Sequence, residues 1–142
     1  MFEGSLKVQW SEDLATGHLE TDNQHKMLID IINELADAIE TQQTAAKMND
    51  ILSLLFHYTQ WHFEREERCM ERLKCPLGEV NRTAHAAFML RVKQFQQEYR
   101  ENPAVDFAET VYKELVEWLF NHIRKIDTSL KDRTENTDSP SV

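Results

Sequence analysis

The chain has 142 residues, of which 41% are hydrophobic, and its formal net charge at pH 7 is −9. This length favours one domain with a sizeable core, and the acidic balance excludes a nucleic-acid binder that uses Lys and Arg to neutralise phosphates. No apolar run approaches a membrane span, no signal-peptide pattern opens the chain, and Cys69 and Cys75 are too few for a disulfide framework. We therefore expect a cytoplasmic protein that binds neither nucleic acid nor membrane, with both cysteines serving as packing residues.

The composition predicts an all-α fold. Only three Gly and three Pro occur in the chain, strand patterns are absent, and stretches rich in Glu, Lys, Gln, Leu and Ala favour helix. Met1 to Thr21 lacks sustained periodicity, so we expect an extended N-terminal arm with Trp10 packed on the helices. His18 in this arm has no neighbour at ligand spacing and is expected to be solvated or hydrogen-bonded.

The first helix is expected to start near Thr21 or Asp22, either of which can cap it, and to run toward Glu40. Its inward stripe is otherwise apolar but begins with a histidine in the first turn. The stripe consists of His25, Leu28, Ile29, Ile32, Leu35, Ala36 and Ile39. A single histidine at such a position is more often a hydrogen-bonded core residue than a ligand.

The second helix is expected from about Ala45 to Leu73, before the helix-ending Pro76 and Gly78. His62 and Glu66 are i and i+4 on this helix, so an imidazole and a carboxylate project from its apolar face one turn apart. Buried charge requires partners, and this pair is suited to binding a metal ion. His57 falls on another face and is expected to be solvated or half-buried. The neighbouring charges are predicted to face solvent: Glu64, Arg65, Glu67 and Arg68.

The third helix, about Glu79 to Arg100, has a regular inward seam made of Asn81, His85, Phe88, Val92, Phe95 and Tyr99. The fourth is expected from near Val105 to Lys131, and its inward residues are Phe107, Val111, Leu115, Trp118, Leu119, His122, Ile126 and Leu130. Asp127 follows His122 by five residues, which is poor spacing for one helix face. Residues 132–142 are polar and are expected to form a disordered tail after a domain of residues 1–131.

Short connections make neighbouring helices antiparallel and predict an up-down-up-down four-helix bundle. In that arrangement all the unusual polar residues occupy one end of the bundle. They are His25, His62, Glu66, Asn81, His85, His122 and Asp127. Four imidazoles and two carboxylates exceed what one tetrahedral ion needs, and they suit two ions bridged by carboxylates.

These motifs resemble the bacterial hemerythrins, a family of non-haem di-iron oxygen-binding proteins. The resemblance covers roughly Val8 to Leu130. It is carried by Trp10, residues 22–26, residues 62–67 with Met70, Pro76, His85 with Phe88, residues 118–123 and Asp127.

The resemblance implies two iron ions joined by a hydroxo or oxo bridge. His25 and His62 would hold the iron that is open to dioxygen, His85 and His122 would hold the other, and Glu66 and Asp127 would bridge both. The family has a histidine where this chain has Asn81, so the second iron loses an imidazole. Asn81 then either ligates through its weaker oxygen, holds a water, or leaves that iron loosely bound. Leu119, Ile29 and Phe63 are expected near the open iron.

The function expected from this resemblance is reversible dioxygen binding for storage, delivery or sensing, without enzymatic turnover. Dioxygen is the expected partner of a monomeric protein, with an oxygen-consuming protein as a further candidate. The first alternative is a di-iron oxidase or a scavenger of peroxide or nitric oxide, which the altered second iron site would permit. The second alternative is a helical bundle whose site is degraded and which serves stability or partner binding.

Overall fold

The computed structural model describes residues 6–129, which contain helices and no strand. The order of elements is a short 3-10 helix at Glu12–Leu14, α1 at Leu19–Glu40, α2 at Thr44–Arg72, α3 at Gly78–Glu101, α4 at Val105–Lys125, and a second 3-10 helix at Asp127–Ser129. The all-α prediction is therefore confirmed. Leu130 and the predicted tail at 132–142 lie outside the described residues.

The four helices form an up-down-up-down bundle because only residues 41–43, 73–77 and 102–104 connect them. Helix α1 packs against α2 and α4, and α2 packs against α3. The shared interior contains the predicted stripes of α1 and α3, all of whose residues are buried. Helix α4 also buries Tyr112 and Ile123, while Phe107 and Trp118 are only partly buried against the core. No described helix is both long and apolar enough to span a bilayer.

The described part of the N-terminal arm runs antiparallel along α1 and is held by hydrogen bonds to three helix residues. The Leu6 amide donates to Glu40 Oε2 at 2.6 Å, and Tyr112 Oη donates to the Leu6 carbonyl at 2.6 Å. The Val8 amide and carbonyl both bond to the Asn33 side chain. Trp10 packs partly buried against the core, as predicted.

Helix α1 begins earlier than the sequence predicted, because the cap is neither Thr21 nor Asp22. His18 occupies the N-cap position, and its Nδ1 accepts a hydrogen bond from the Thr21 amide at 3.3 Å. Asp22 lies inside the helix, where its Oδ1 accepts from the amide and hydroxyl of Thr16 at 2.8 and 2.7 Å. His18 is thus hydrogen-bonded, which agrees with the prediction for this residue.

Helix α4 ends at Lys125, so the prediction that it continues to Lys131 is wrong. Ile126 follows with φ −116° and ψ −57°, and Asp127 opens the second 3-10 helix. In a continuous α-helix, a residue five positions after His122 would point about 140° away from it. The end of the helix removes that constraint, so Asp127 can reach the same interior as His122.

Candidate metal centre

The seven polar residues singled out in the sequence all lie in the bundle interior near one end. Their relative exposures are 0% for His25 and Asn81, 1% for His62, Glu66 and Asp127, 2% for His85 and 6% for His122. Side chains of this polarity are rarely buried without partners. Most of their polar contacts are with one another.

Glu66 lies at the middle of this layer and directs its two oxygens to different sides. Oε2 is 3.0 Å from His25 Nε2 and 3.2 Å from His62 Nε2. Oε1 is 3.2 Å from His85 Nε2 and 3.1 Å from Asn81 Nδ2. One carboxylate thus contacts side chains of α1, α2 and α3.

Asp127 spans the same two sides from the fourth direction. Its Oδ2 is 3.2 Å from His25 Nε2, and its Oδ1 is 3.3 Å from His122 Nε2. Oδ1 is buried and has no hydrogen-bond partner among the described residues. A buried carboxylate oxygen without a hydrogen bond is costly, and a cation would satisfy it.

The side chains form two clusters of potential metal-binding residues that share Glu66. One contains His25, His62 and Glu66, and the other contains Glu66, His85, His122 and Asp127. In the second cluster, His122 Nε2 lies 3.2 Å from His85 Nε2 and 2.7 Å from Asn81 Oδ1. Imidazole nitrogens and carboxylate oxygens are ordinary ligands of iron, so this donor set fits two cations bridged by carboxylates.

The electrostatics of the layer without a cation show how strongly it favours positive charge. Burial opposes charge on His25, but hydrogen bonds to Asp127 and Glu66 outweigh it and raise the pKa of His25 to about 10. Burial also opposes charge on Glu66, yet the neighbouring His62, His25 and His85 hold the pKa of this carboxyl well below its usual range. Burial lowers the pKa of His62. The two carboxylates therefore favour positive charge at His25, which is the kind of charge that a metal ion would supply.

Two side chains outside the layer orient two of its histidines, and neither role was predicted from the sequence. His62 Nδ1 donates to Gln24 Oε1 at 2.6 Å, and His85 Nδ1 donates to Glu67 Oε2 at 2.8 Å. Each contact fixes the Nδ1 proton and directs Nε2 to the layer. The prediction that Glu67 faces solvent is wrong, since its side chain is only 20% exposed. The signal available in the sequence was the need of any buried imidazole for an acceptor at its second nitrogen.

Aromatic rings hold the two histidines of the second cluster. Phe63 stacks on His85 with centroids 3.7 Å apart and an interplanar angle of 4°, and Trp118 stacks on His122 at 4.5 Å and 9°. Phe63 also contacts His62, at 5.7 Å between centroids. Of the predicted pocket residues, Phe63 therefore lies closer to His85 than to His62, while Ile29 and Leu119 are buried in the same core.

The structure agrees with the prediction that His57 and the two cysteines lie outside the metal centre. His57 is exposed, and its Nδ1 donates to the Ser53 carbonyl at 2.8 Å. Cys69 and Cys75 are both buried and pack with Met70. Neither cysteine belongs to the two clusters described above.

Comparison with known proteins gives a consistent result. The family model described as "Hemerythrin HHE cation binding domain" matches residues 17–133. Bacteriohemerythrin of Pseudomonas aeruginosa is 32% identical over 133 residues, covering 94% of this chain and 85% of the relative. Bacteriohemerythrin of Stenotrophomonas maltophilia is 30% identical over 126 residues, covering 89% and 80%. A crystal structure of a hemerythrin mutant superposes with a TM-score of 0.73 at 23% identity, covering 90% of this chain and 99% of that one, and supports the bundle fold.

Proposed function

This chain belongs to the hemerythrin family, and on that premise we propose that it holds two iron ions in the buried polar layer and binds dioxygen reversibly. The observation that carries the proposal is the placement of the two carboxylates. Glu66 and Asp127 each direct one oxygen toward each half of the layer. This arrangement suits two adjacent cations and has no evident purpose in a merely structural core.

The proposed ligands follow from the two clusters. His25 and His62 would hold one iron and His85 and His122 the other, while Glu66 and Asp127 would each contribute an oxygen to both halves. Asn81 belongs to the second half, where its amide group lies between Glu66 and His122. An amide oxygen is a neutral and weaker donor than imidazole. The second half therefore has two imidazoles and one weaker donor, whereas the first half has two imidazoles alone.

When bound, the iron ions supply the electrons and the open coordination position for dioxygen. The protein supplies orientation and exclusion of water. Gln24 and Glu67 retain the Nδ1 protons of His62 and His85, which keeps the Nε2 lone pairs directed to the ions. Phe63 and Trp118 cover the second half with stacked rings. The low exposure of every proposed ligand keeps bulk water away from the site.

The test is to measure iron per chain in protein purified without added iron, together with its spectrum during cycles of oxygen addition and removal. Reversible binding predicts two irons per chain and an oxygen-dependent band that returns in each cycle. A di-iron oxidase or a scavenger of peroxide or nitric oxide is the second candidate, favoured by the missing imidazole at Asn81. It predicts bleaching with product formation after one cycle. Protein without iron that takes up none when reconstituted would refute both functions.

A further inference from the structure

A second charged site lies outside the metal centre, in a cavity of about 200 Å³ between the start of α1 and the face of α2. Three arginines line it, at spacings of three and four residues that place them on one helix face. The lining residues are Arg65, Arg68, Arg72, His18, Glu20, Thr21, Gln24 and Cys69.

Among the described residues, the cavity arginines and Arg100 form no ion pair with a carboxylate, unlike the three remaining arginines. Arg82, Arg91 and Arg124 all form ion pairs with Asp or Glu. In the described part of the chain, the three cavity arginines form no such pair. Their hydrogen bonds go to the Trp61 carbonyl at 3.1 Å, the Glu64 carbonyl at 3.3 Å and Cys69 Sγ at 3.7 Å, respectively.

This arrangement is unexpected in a chain with 25 acidic and 16 basic residues. Acidic residues are available on α2 itself, but two of them have other partners. Glu67 bonds to His85, and Glu71 lies 3.8 Å from Arg82. The cavity arginines thus retain most of the N–H donors of a guanidinium for another anion.

The start of α1 adds to the positive potential of the cavity. Thr21 and Glu20 belong to the first turn of this 22-residue helix, whose dipole favours an anion, while the Thr21 amide already donates to His18 Nδ1. Glu20 is the one carboxylate among the lining residues, and it accepts a hydrogen bond from Gln24 Nε2 at 3.3 Å. The inner wall is Gln24, which also contacts His62 of the metal centre.

We propose that this cavity binds one small dianionic oxyanion of the sulfate or phosphate type. Three guanidinium groups and a helix start can share the two charges of such an ion. The volume of about 200 Å³ is below the roughly 300–1,000 Å³ typical of sites for larger organic ligands, which favours a small ion. This inference goes beyond the proposed oxygen binding and does not depend on it, because the cavity is formed by residues other than the proposed iron ligands.

The test is isothermal titration calorimetry of the full-length protein with sodium sulfate at constant ionic strength. The pocket variant combines Arg65→Gln, Arg68→Gln and Arg72→Gln, and the control variant combines Arg82→Gln, Arg91→Gln and Arg124→Gln. Both lose the same charge and keep good helix formers. A parallel titration with sodium chloride measures whether a monoanion binds to the same protein, as a control for the dianion.

We expect one sulfate per chain in the wild type and the control variant, and a loss of affinity of at least about a hundredfold in the pocket variant. The single variant Arg68→Gln changes an exposed residue, should lose about tenfold, and replaces the triple variant if that one does not fold. Absence of saturable binding in the wild type would overturn the site. Equal affinity in the wild type, the control variant and the pocket variants would do the same.

Discussion

Three glutamates on α2 offer a graded test of the proposed metal centre. Glu64 is exposed, Glu67 is half-buried against His85, and Glu66 is 1% exposed at the middle of the polar layer. Replacing each by Gln removes one negative charge with little change of shape. The three variants therefore share their chemistry and differ only in position.

The expected magnitudes follow from the contacts of each carboxylate. Glu66 lies within 3.0 to 3.2 Å of three imidazoles and one amide group. Removing one partner of a buried charge cluster costs about 3–5 kcal/mol, or roughly two to four decades of metal affinity. Glu67 contacts one proposed ligand, His85, by accepting a hydrogen bond from its Nδ1. Loss of such a contact lowers metal affinity by about 10–100-fold. The exposed Glu64→Gln should change affinity by no more than about twofold.

The assay is iron per chain by elemental analysis after a fixed chelator challenge, with circular dichroism to verify the fold. We expect Glu64→Gln to retain both irons, Glu67→Gln to lose mainly one of them, and Glu66→Gln to lose both. Retention of two irons by Glu66→Gln would refute the bridging role. Equal losses in Glu64→Gln and Glu67→Gln would refute the positioning role of Glu67.

Three further predictions concern the second half of the centre, the core and the arm. Asn81→His should increase iron retention after the chelator challenge, because imidazole is a stronger donor than an amide oxygen, and unchanged retention would mean that another group already completes the site. Leu35 is fully buried, ten residues beyond His25 along α1. Leu35→Ala should lower the free energy of unfolding, measured by urea denaturation, by about 2–5 kcal/mol. The iron content of the folded protein should not change. Burial raises the pKa of Tyr112 from 10.0 to about 12, so the folded state retains this proton more tightly; stability should fall as pH rises from about 10 to about 12, by less in Tyr112→Phe.

The sequence was sufficient for the existence of the four helices and for the seven polar residues of the layer, because helical periodicity reports directly which positions face inward. Asn81 and His85 interrupt an aromatic seam in α3 that is otherwise regular, and His62 and Glu66 do the same in α2. A polar residue on an apolar stripe is visible without any structure. Placement at one end of the bundle followed from the short connections between helices.

Contacts that depend on helix ends or on side-chain direction could not be predicted in the same way. The end of α4 at Lys125 is what frees Asp127 from helical spacing, and no Gly or Pro marks that end in the sequence. Glu67 stands in a charged run whose default interpretation is a solvated face. Its partner His85 lies 18 residues away on another helix. Such a contact depends on the packing of α2 against α3, which periodicity along one helix does not report.

Asn81 and Glu67 both lie beside the second half of the proposed centre, where Asn81 stands in place of the further imidazole that the resemblance implies. A carboxylate on the Nδ1 proton raises the basicity of His85, whereas the corresponding partner of His62 is the neutral Gln24. We infer that Glu67 partly offsets the weak amide donor at Asn81. The loss of iron caused by Glu67→Gln should then be smaller in an Asn81→His background than in the wild type. Losses of equal size in the two backgrounds would show that the two residues act independently.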